Sequence, residues 1–172
     1  MNTELITVRN LPPQIKDAFN ISPNSSRKEI RQHILSFEDY LNSLGGAEFE
    51  VEENHSFSDG VYVRTVFLKA GNLITGKIHK TEHSNIISMG DVSVLTEFGY
   101  ERYTVTDRPI IFKSAPWTKR IVFAHKDTSW TVIHPTHETD LVKIEEQVIA
   151  KSYEELEQIE SQTVFELEVK AQ

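Results

Sequence analysis

Two histidines, His79 and His83, lie four residues apart in the stretch from Gly71 to Gly90, which also carries strand-like apolar runs. The residue types predict a strand that ends at His79, a tight corner, and a second strand that begins at Asn85. A corner of this kind can turn both imidazoles to one side of a sheet, so that they converge on one point. Imidazole is the commonest protein ligand for transition metals, and it suits zinc, iron and nickel. The spacing therefore indicates a divalent-metal site.

Other residues bear on this interpretation. Two histidines in a polar loop are more often exposed hydrogen-bonding side chains than ligands, and the residues alone leave that alternative open. A third ligand could come from His134, at the end of a predicted strand, if that strand lies beside the one that carries His79. Glu82 could act as a ligand or a base. The other histidines are predicted to be structural or solvated: His33, His55, His125 and His137.

Three cations around the same stretch suggest a different ligand. Lys77 precedes His79 by two residues, and Lys119 and Arg120 closely follow Trp117. Adjacent cations beside an aromatic ring can bind a phosphate or a carboxylate by charge-assisted hydrogen bonds. In so acidic a chain, the favoured alternative is that Lys119 points into solvent and Arg120 pairs with an acidic neighbour. If Lys77 and Arg120 both faced inward, they would repel a metal ion and suit the pocket to an anion.

Length and composition exclude several classes of function. The 172 residues suit one domain with a sizeable core, and cysteine is absent, so that any metal must be held by nitrogen and oxygen. The 26 acidic and 18 basic residues give a formal net charge of −8, which opposes binding to nucleic acid or to an anionic membrane. No apolar run approaches a membrane span, and the first residues lack the features of a secretion signal. We therefore expect a soluble cytoplasmic protein.

The first quarter of the chain predicts an arm and a helix. Residues 1–26 are rich in proline, asparagine and serine, which favours an irregular arm with at most a short helical turn around residues 14–19. Ser26 and Glu29 then form a capping box, and apolar residues at helical spacing predict a helix over 27–44. One apolar stripe indicates that this helix packs on a sheet or on a partner subunit.

The middle of the chain predicts many short strands. An acidic edge strand is predicted over residues 47–55, where charge discourages unwanted pairing. Further strands are predicted over 61–68, 72–79, 85–89, 92–96, 101–105, 110–113, 120–125 and 130–134. Short strands at this spacing, with no helix between them, are typical of an antiparallel sandwich or barrel. Composition alone does not choose among such all-β architectures.

The last part of the chain changes its hydrophobic period again. Residues 139–150 predict an amphipathic helix, and a second helix is predicted to open at Ser152, which forms a capping box with Glu155. Alternating apolar residues over 165–169 predict a last strand, which could pair with its own sheet or with the sheet edge of another subunit. These segments, with the N-terminal helix, favour self-association.

The spacing of glycines and histidines resembles the first motif of the cupin superfamily. The marked places of that motif fall on Gly71, Lys77, His79, His83 and Gly90. Lys77 stands where the motif has its first histidine, and His83 stands where it has a glutamate. The best match to the second motif puts Arg120 in the place of the fourth ligand, and a guanidinium, which stays protonated, cannot ligate a cation. The resemblance thus keeps the frame of the motif and changes its ligands.

The chain is most similar to small cupin-like proteins encoded by tailed bacteriophages. The shared phrases are GKIHKTEH, TKR, HPT followed by ETDL, and a helix ending in AKSYEEL, which together cover roughly residues 60–156. The resemblance implies a mainly β fold with a single cupin-type antiparallel barrel, or jelly roll, over residues 60–134. An N-terminal arm, one helix and an edge strand would precede it over 1–59, and one or two helices and a tail would follow over 135–172.

Three functions stay open at this point. The broken ligand set beside an intact scaffold favours a non-catalytic, oligomeric module that serves as a virion accessory part or binds a ligand. Its partners would be further copies of the chain and other phage structural proteins, in the host cytoplasm or the particle. The first alternative is a metal-dependent enzyme acting on a small molecule, with zinc, nickel or iron at His79, His83 and His134. The second is a sponge that binds a host nucleotide signal through the three cations named above.

Overall fold

The computed structural model describes residues 13–43 and 51–159 of the chain. Its elements are, in order, α1 (Pro13–Phe19), α2 (Arg27–Ser43), β1 (Glu52–Ser58), β2 (Val61–Leu68), β3 (Leu73–Thr75), β4 (Ile78–His79), β5 (His83–Thr96), β6 (Gly99–Thr104), β7 (Ile110–Ser114), β8 (Ile121–Pro135), α3 (Leu141–Val148) and β9 (Ile149–Ala150). Residues 154–159 are also helical. Strands dominate, and every strand pairing among the described residues is antiparallel. The predicted mainly β, antiparallel fold class is confirmed.

The two longest strands, β5 and β8, form a ribbon that is bent in the middle. Register shifts interrupt their pairing between Ile87 and Val92. At the bend, Gly90 has a φ of 125°, and an added Cβ there would collide with Thr128 on the facing strand. A β-bulge with a glycine at the point of close approach bends and twists a strand. The ribbon thereby contributes its two halves to two different layers.

The two layers enclose the core that the jelly-roll prediction requires. The first half of β5 and the second half of β8 carry β7, β2 and β1, whereas the other halves carry β3 and β6. Buried apolar residues from both halves form one cluster: Leu68, Ile87, Val92, Val94, Val122, Ala124 and Trp130. In the described part of the chain the strands form an open jelly roll and no closed barrel, because β3 and β4 are too short to join the layers by a continuous ladder.

Helices α1 and α2 cover the outer face of the second layer. Ile30, Ile34 and Phe37 of α2 pack with Leu73, Leu95, Ile121 and Phe123 of the sheet. The predicted capping box is present, since the backbone N–H and the hydroxyl of Ser26 donate to Glu29 at 2.6 and 2.8 Å. This cap and the apolar stripe explain why the helix is found where the sequence predicts it.

Helix α3 closes one end of the jelly roll. Its N-cap is Asp140, whose carboxylate accepts from the backbone N–H groups of Val142 and Lys143. Ile144 and Val148 of this helix pack against Tyr62 of β2. The helix is shorter than predicted at both ends, because the capping aspartate starts it at Leu141 and β9 begins directly after Val148. None of the helices in the described ranges is long and apolar enough to cross a membrane.

Several predicted boundaries are wrong for local reasons. The strands predicted over 85–89 and 92–96 are one strand, and so are those over 120–125 and 130–134, because the turn-like residues between them form a bulge. The strand predicted over 72–79 is divided into β3 and β4. The predicted edge strand is present as β1, at one end of the sheet order. Residues 1–12, 44–50 and 160–172 lie outside the described chain, and with them much of the arm and the predicted last strand.

Candidate metal centre

His79, His83 and His134 come from three strands that meet at the end of the jelly roll beneath α3. His79 ends β4, which is held by β9 and by an isolated bridge to Thr118. His83 begins β5, and His134 lies one residue before the end of β8. Because Ser84 is paired with Ile133, the antiparallel register places His83 beside His134. The pairing of β5 with β8 thus brings His134, which is remote in sequence, to the other two histidines.

The three imidazoles converge closely. Their ring centroids are 4.4 Å apart for His79 and His83, 4.8 Å for His83 and His134, and 5.2 Å for His79 and His134. One potential ligand atom of each ring lies within 4.8 Å of the corresponding atoms of the others. This spacing allows a single cation to contact all three after small rotamer changes. The convergence that the sequence suggested is present, while the role of the residues as ligands stays a prediction.

Each of the three rings keeps one buried nitrogen without a hydrogen-bond partner among the described residues. These atoms are Nδ1 of His79, Nε2 of His83 and Nδ1 of His134. Nδ1 of His83 lies 3.0 Å from the carbonyl oxygen of Thr81, which can only accept, so Nδ1 carries the proton and Nε2 keeps a lone pair. An unsatisfied buried polar group costs about 1–3 kcal/mol, and three in one place call for a shared partner.

Burial keeps all three rings neutral. It lowers the pKa of His79 from 6.5 to about 2, with further contributions from the neighbouring His83 and from the positive charge of Arg120. Burial, with a smaller contribution from the neighbouring His83, also lowers the pKa of His134 to about 4. The pKa of His83 is lowered by burial as well, although its hydrogen bond to Thr81 opposes that shift. Neutral imidazole is the form that binds a metal ion, so no proton need leave at neutral pH.

A cavity of about 350 Å³ opens beside His79 and His134, and we call it the site cavity. On its wall Tyr62 stacks on His134, with ring centroids 6.5 Å apart, and the Tyr62 hydroxyl lies 2.7 Å from Nδ1 of His55. Arg64 lines the same cavity and donates from Nε to Glu53 at 3.1 Å. A small molecule in this cavity would lie against the histidines.

Arg120 is buried deeper in the jelly roll. Its guanidinium donates to Ser114 Oγ at 2.5 Å and to Asn85 Oδ1 at 3.3 Å, and lies 5.3 Å from the ring centroid of Trp130. Burial lowers the pKa of Arg120 to about 10. Among the described residues no carboxylate lies within 4.0 Å of it, so the expected pairing with an acidic neighbour is wrong. Arg120 directly precedes β8, and its position two residues before the core residue Val122 turns its side chain into the core, away from the acidic surface.

The other two predicted anion-binding residues have carboxylate partners. Lys119 is buried rather than exposed, and its ammonium donates to Glu38 and to the backbone oxygen of Gly76, both at 2.7 Å. The expectation that Lys119 points into solvent is wrong because α2 covers that face and supplies Glu38. Lys77 forms an ion pair with Glu145 of α3. The contacts therefore direct Lys119 to the outer face and Arg120 to the inner one.

The remaining candidates lie outside the cluster. Glu82 forms an exposed ion pair with Lys113 at 2.9 Å, and it is not among the grouped metal-ligand side chains. His125 is buried within β8, with Nε2 2.8 Å from Ser93 Oγ. His33 bonds to the Ala18 carbonyl, and His137 bonds to the Asp59 carboxylate.

The sequence interpretation missed Tyr62 and Arg64. Both line the site cavity because residues two apart on a strand share one face, and on β2 that face is the inner one. A tyrosine and an arginine at this spacing, between valines on a predicted strand, were the available signal. The sequence interpretation also missed Asn85, which is fully buried and hydrogen-bonded to both Ser114 and Arg120.

Comparison of the sequence with protein-family models and with curated proteins finds no match. Among solved structures, the chain is similar to a cupin superfamily protein from Desulfitobacterium hafniense DCB-2, with a TM-score of 0.42, 11% identity, and coverage of 51% of this chain and 79% of that one. It is similar to ectoine synthase from P. lautus, with a TM-score of 0.45, 10% identity, and coverage of 56% and 71%. It is also similar to a cupin family protein with a double-stranded beta-helix fold from Methanocaldococcus jannaschii, with a TM-score of 0.40, 12% identity, and coverage of 52% of this chain and 85% of that one. These similarities concern the fold alone.

Proposed function

We propose that this protein binds one divalent transition-metal ion through His79, His83 and His134 and presents it to a small molecule in the site cavity. The observation that carries the proposal is the set of three buried nitrogens, one on each converging ring, that lack any hydrogen-bond partner among the described residues. A cation would give all three a common partner. The neutral state of the rings at physiological pH supports the same conclusion.

The chemistry of the donors fits such an ion. All three are imidazole nitrogens, which suit zinc, nickel and iron, the metals expected from the sequence. Three protein ligands leave at least one coordination position free, which distinguishes sites that act on a ligand from closed structural sites with four protein ligands. The site cavity lies on the side of His79 and His134 and can admit a small molecule to that position.

The surrounding residues hold the histidines in place. The Thr81 carbonyl fixes the tautomer and orientation of His83, as hydrogen-bond acceptors behind a ligating histidine do in metal sites. Tyr62 packs on His134, and its hydroxyl is held by His55. Helix α3 packs against Tyr62 and lines the site cavity at this end of the jelly roll. A bound ion would supply Lewis-acid or redox chemistry to a molecule in the cavity.

The broader functions predicted from the sequence stay predictions. A non-catalytic, oligomeric accessory role in a bacteriophage depends on the family resemblance, and a ligand-binding module is compatible with the proposed centre. The metal-dependent enzyme, the first alternative from the sequence, would use the same three histidines as the proposed centre. The nucleotide-signal sponge depends on three cations, of which Lys77 and Lys119 already have carboxylate partners.

Metal titration of chelator-treated protein tests the proposal. We expect calorimetry with zinc, nickel and anaerobic iron(II) to give one site per chain for at least one of these ions. Replacement of any one of the three histidines, as in His134→Ala, should weaken binding by at least about tenfold, because each provides one of only three protein ligands. His137→Ala is the matched control, since this exposed histidine pairs with Asp59 away from the site.

The result that would contradict the proposal is equally clear. Parent protein that binds none of the three ions, or a triple variant that binds as tightly as the parent, would exclude this centre. Circular dichroism of each variant should match that of the parent, which shows that lost binding is not lost folding.

A further inference from the structure

Arg120 is a buried positive charge for which the described residues supply only neutral partners. Its side chain is 8% exposed, and it bonds to Ser114 and Asn85 beside the ring of Trp130. A buried charge is costly unless it is compensated, and proteins usually compensate a buried arginine with a carboxylate. No carboxylate of the described residues lies within 4.0 Å of Arg120, and Glu97, which acts on it from further away, is already paired with Arg31. This observation suggests that a ligand supplies the carboxylate.

Arg120 lines a cavity of about 250 Å³ that lies between the two layers and shares His79, Arg64 and Lys77 with the site cavity. We call it the inner cavity. Most of its wall is apolar and comes from the core: Val66, Leu68, Ile74, Val122, Trp130 and Val132. The inner cavity therefore combines a mostly apolar wall with Arg120 and with His79, one of the candidate metal ligands; Glu53, Arg64 and Lys77 also line it.

The other cations of the inner cavity are already compensated. Arg64 pairs with Glu53, and Lys77 pairs with Glu145. One positive charge is thus left in the cavity, on Arg120. A monoanion would balance it, whereas a doubly charged phosphate would leave an excess negative charge among apolar side chains. The planar guanidinium also matches the two oxygens of a carboxylate.

We infer that the inner cavity binds a small monocarboxylate with an apolar body, which lies against Trp130 and the aliphatic wall while Arg120 receives its carboxylate. The inference rests on the proposed function in one respect, because the ligand would lie beside an ion held by the three histidines. It names the class of molecule that the centre would act on. Its test needs no metal, so the two can fail separately.

A purely structural Arg120 is the competing explanation. In that case its role would be to bridge Ser114 and Asn85, the latter also accepting from the Trp130 indole N–H at 3.0 Å. Loss of the guanidinium would then change stability and leave ligand affinity untouched. Affinity for a carboxylate, compared with that for its uncharged amide, separates the two roles.

Benzoate is a suitable probe, with benzamide as its uncharged match and inorganic phosphate as the rival anion. The chain has two tryptophans, so Trp117→Phe leaves Trp130 as the only tryptophan, which can be excited selectively. We expect metal-free protein to bind benzoate with a change in Trp130 fluorescence, at least about tenfold more tightly than benzamide or phosphate. Arg120→Met should weaken benzoate binding by at least about tenfold. Lys126→Met, which removes an exposed cation, should leave it unchanged.

The outcomes are decisive in each direction. Zinc affinity should not fall in Arg120→Met, since this residue is not a ligand and its positive charge acts on His79. If Arg120→Met fails to fold, Arg120→Lys replaces it, and we expect weaker benzoate binding because the planar pair of donors is lost. No saturable binding at millimolar benzoate, equal binding of benzamide, or unchanged affinity in the arginine variants would overturn the inference. Benzoate binding without zinc binding would refute the metal centre and leave this inference standing.

Discussion

Buried polar groups on the outer and inner faces of the jelly roll are treated differently. On the outer face, beneath the helices, Lys119 is paired with Glu38, and His125 is bonded to Ser93. On the inner face, the three histidines keep unpartnered nitrogens, and Arg120 has only neutral partners among the described residues. Buried polar groups that serve the fold are normally satisfied within it. Arg31 Nε, Glu97 Oε2 and the Tyr153 hydroxyl, near α2, also lack a partner among the described residues, but Arg31 and Glu97 form an ion pair with each other. The three inner nitrogens differ because they belong to rings that converge on one point, which indicates that they await a common partner from outside the chain.

Zinc should produce the largest change in stability, because it would give the three inner histidines a common partner. A ligand at about 100 times its Kd that binds only the folded state stabilises it by about 2.7 kcal/mol. We expect this gain in the free energy of unfolding when zinc is added to the metal-free protein, measured by urea denaturation. His83→Ala should lose the gain, and His137→Ala should retain it. An equal gain in His83→Ala would break the comparison.

Removal of a partner on the outer face should have the next largest effect. In Glu38→Leu, Lys119 keeps its charge in a buried place without its carboxylate, and only the Gly76 carbonyl remains. Breaking a buried ion pair costs about 3–5 kcal/mol, and the part exposure of Glu38 reduces this to about 2 kcal/mol. Thermal or urea unfolding measures the loss. The exposed neighbour Asp39 provides the control, since Asp39→Leu should change stability only slightly.

The pair of Asp91 and Arg102 extends the comparison to a satisfied group near the surface. Hydrogen bonds from Arg102, at 2.8 and 2.9 Å, hold the pKa of Asp91 below its usual 3.8. The folded pKa is lower than the unfolded one, so the stabilisation is present above about pH 4 and is lost as the pH falls through the folded value. We expect the parent to exceed Asp91→Asn by about 1 kcal/mol at pH 6. A difference that grows on acidification would contradict the assignment.

Arg120→Met should have the smallest effect on stability. Replacing a buried charge by an apolar side chain of similar length is often neutral or stabilising, because the cost of desolvation disappears. We expect the free energy of unfolding of the metal-free protein to change by less than about 1 kcal/mol. A loss as large as that of Glu38→Leu would show that Arg120 serves the fold, and the two faces would then be alike.

The sequence predicts those parts of the fold that depend on neighbouring residues. Strand β2 is found over Val61–Leu68 as expected, because turn residues mark both of its ends. The capping box predicts the start of α2 equally well. The bend at Gly90 was missed because a glycine followed by an aspartate is compatible with a bulge as well as with a turn. A bulge depends on what faces it, and the facing residue, Thr128, is remote in sequence.

Only the part of the site that is formed by residues close in sequence was predictable. His79 and His83 are close in sequence, so their spacing indicates a shared point. His134 joins them through the pairing of β5 with β8, and no local pattern reports that register. The directions of Lys119 and Arg120 were beyond reach for the same reason, since a one-residue shift exchanges the two faces of a strand. Register, more than composition, decides which cation is paired and which is left for a ligand.

The crystal structure of the zinc-loaded protein, with anomalous scattering recorded at the zinc edge, tests the central claim most directly. We expect one zinc ion per chain, about 2.0–2.1 Å from Nδ1 of His79, Nε2 of His83 and Nδ1 of His134, the three nitrogens that lack partners among the described residues. A zinc ion at exposed carboxylates or at His137, with the three rings still unligated, would contradict it.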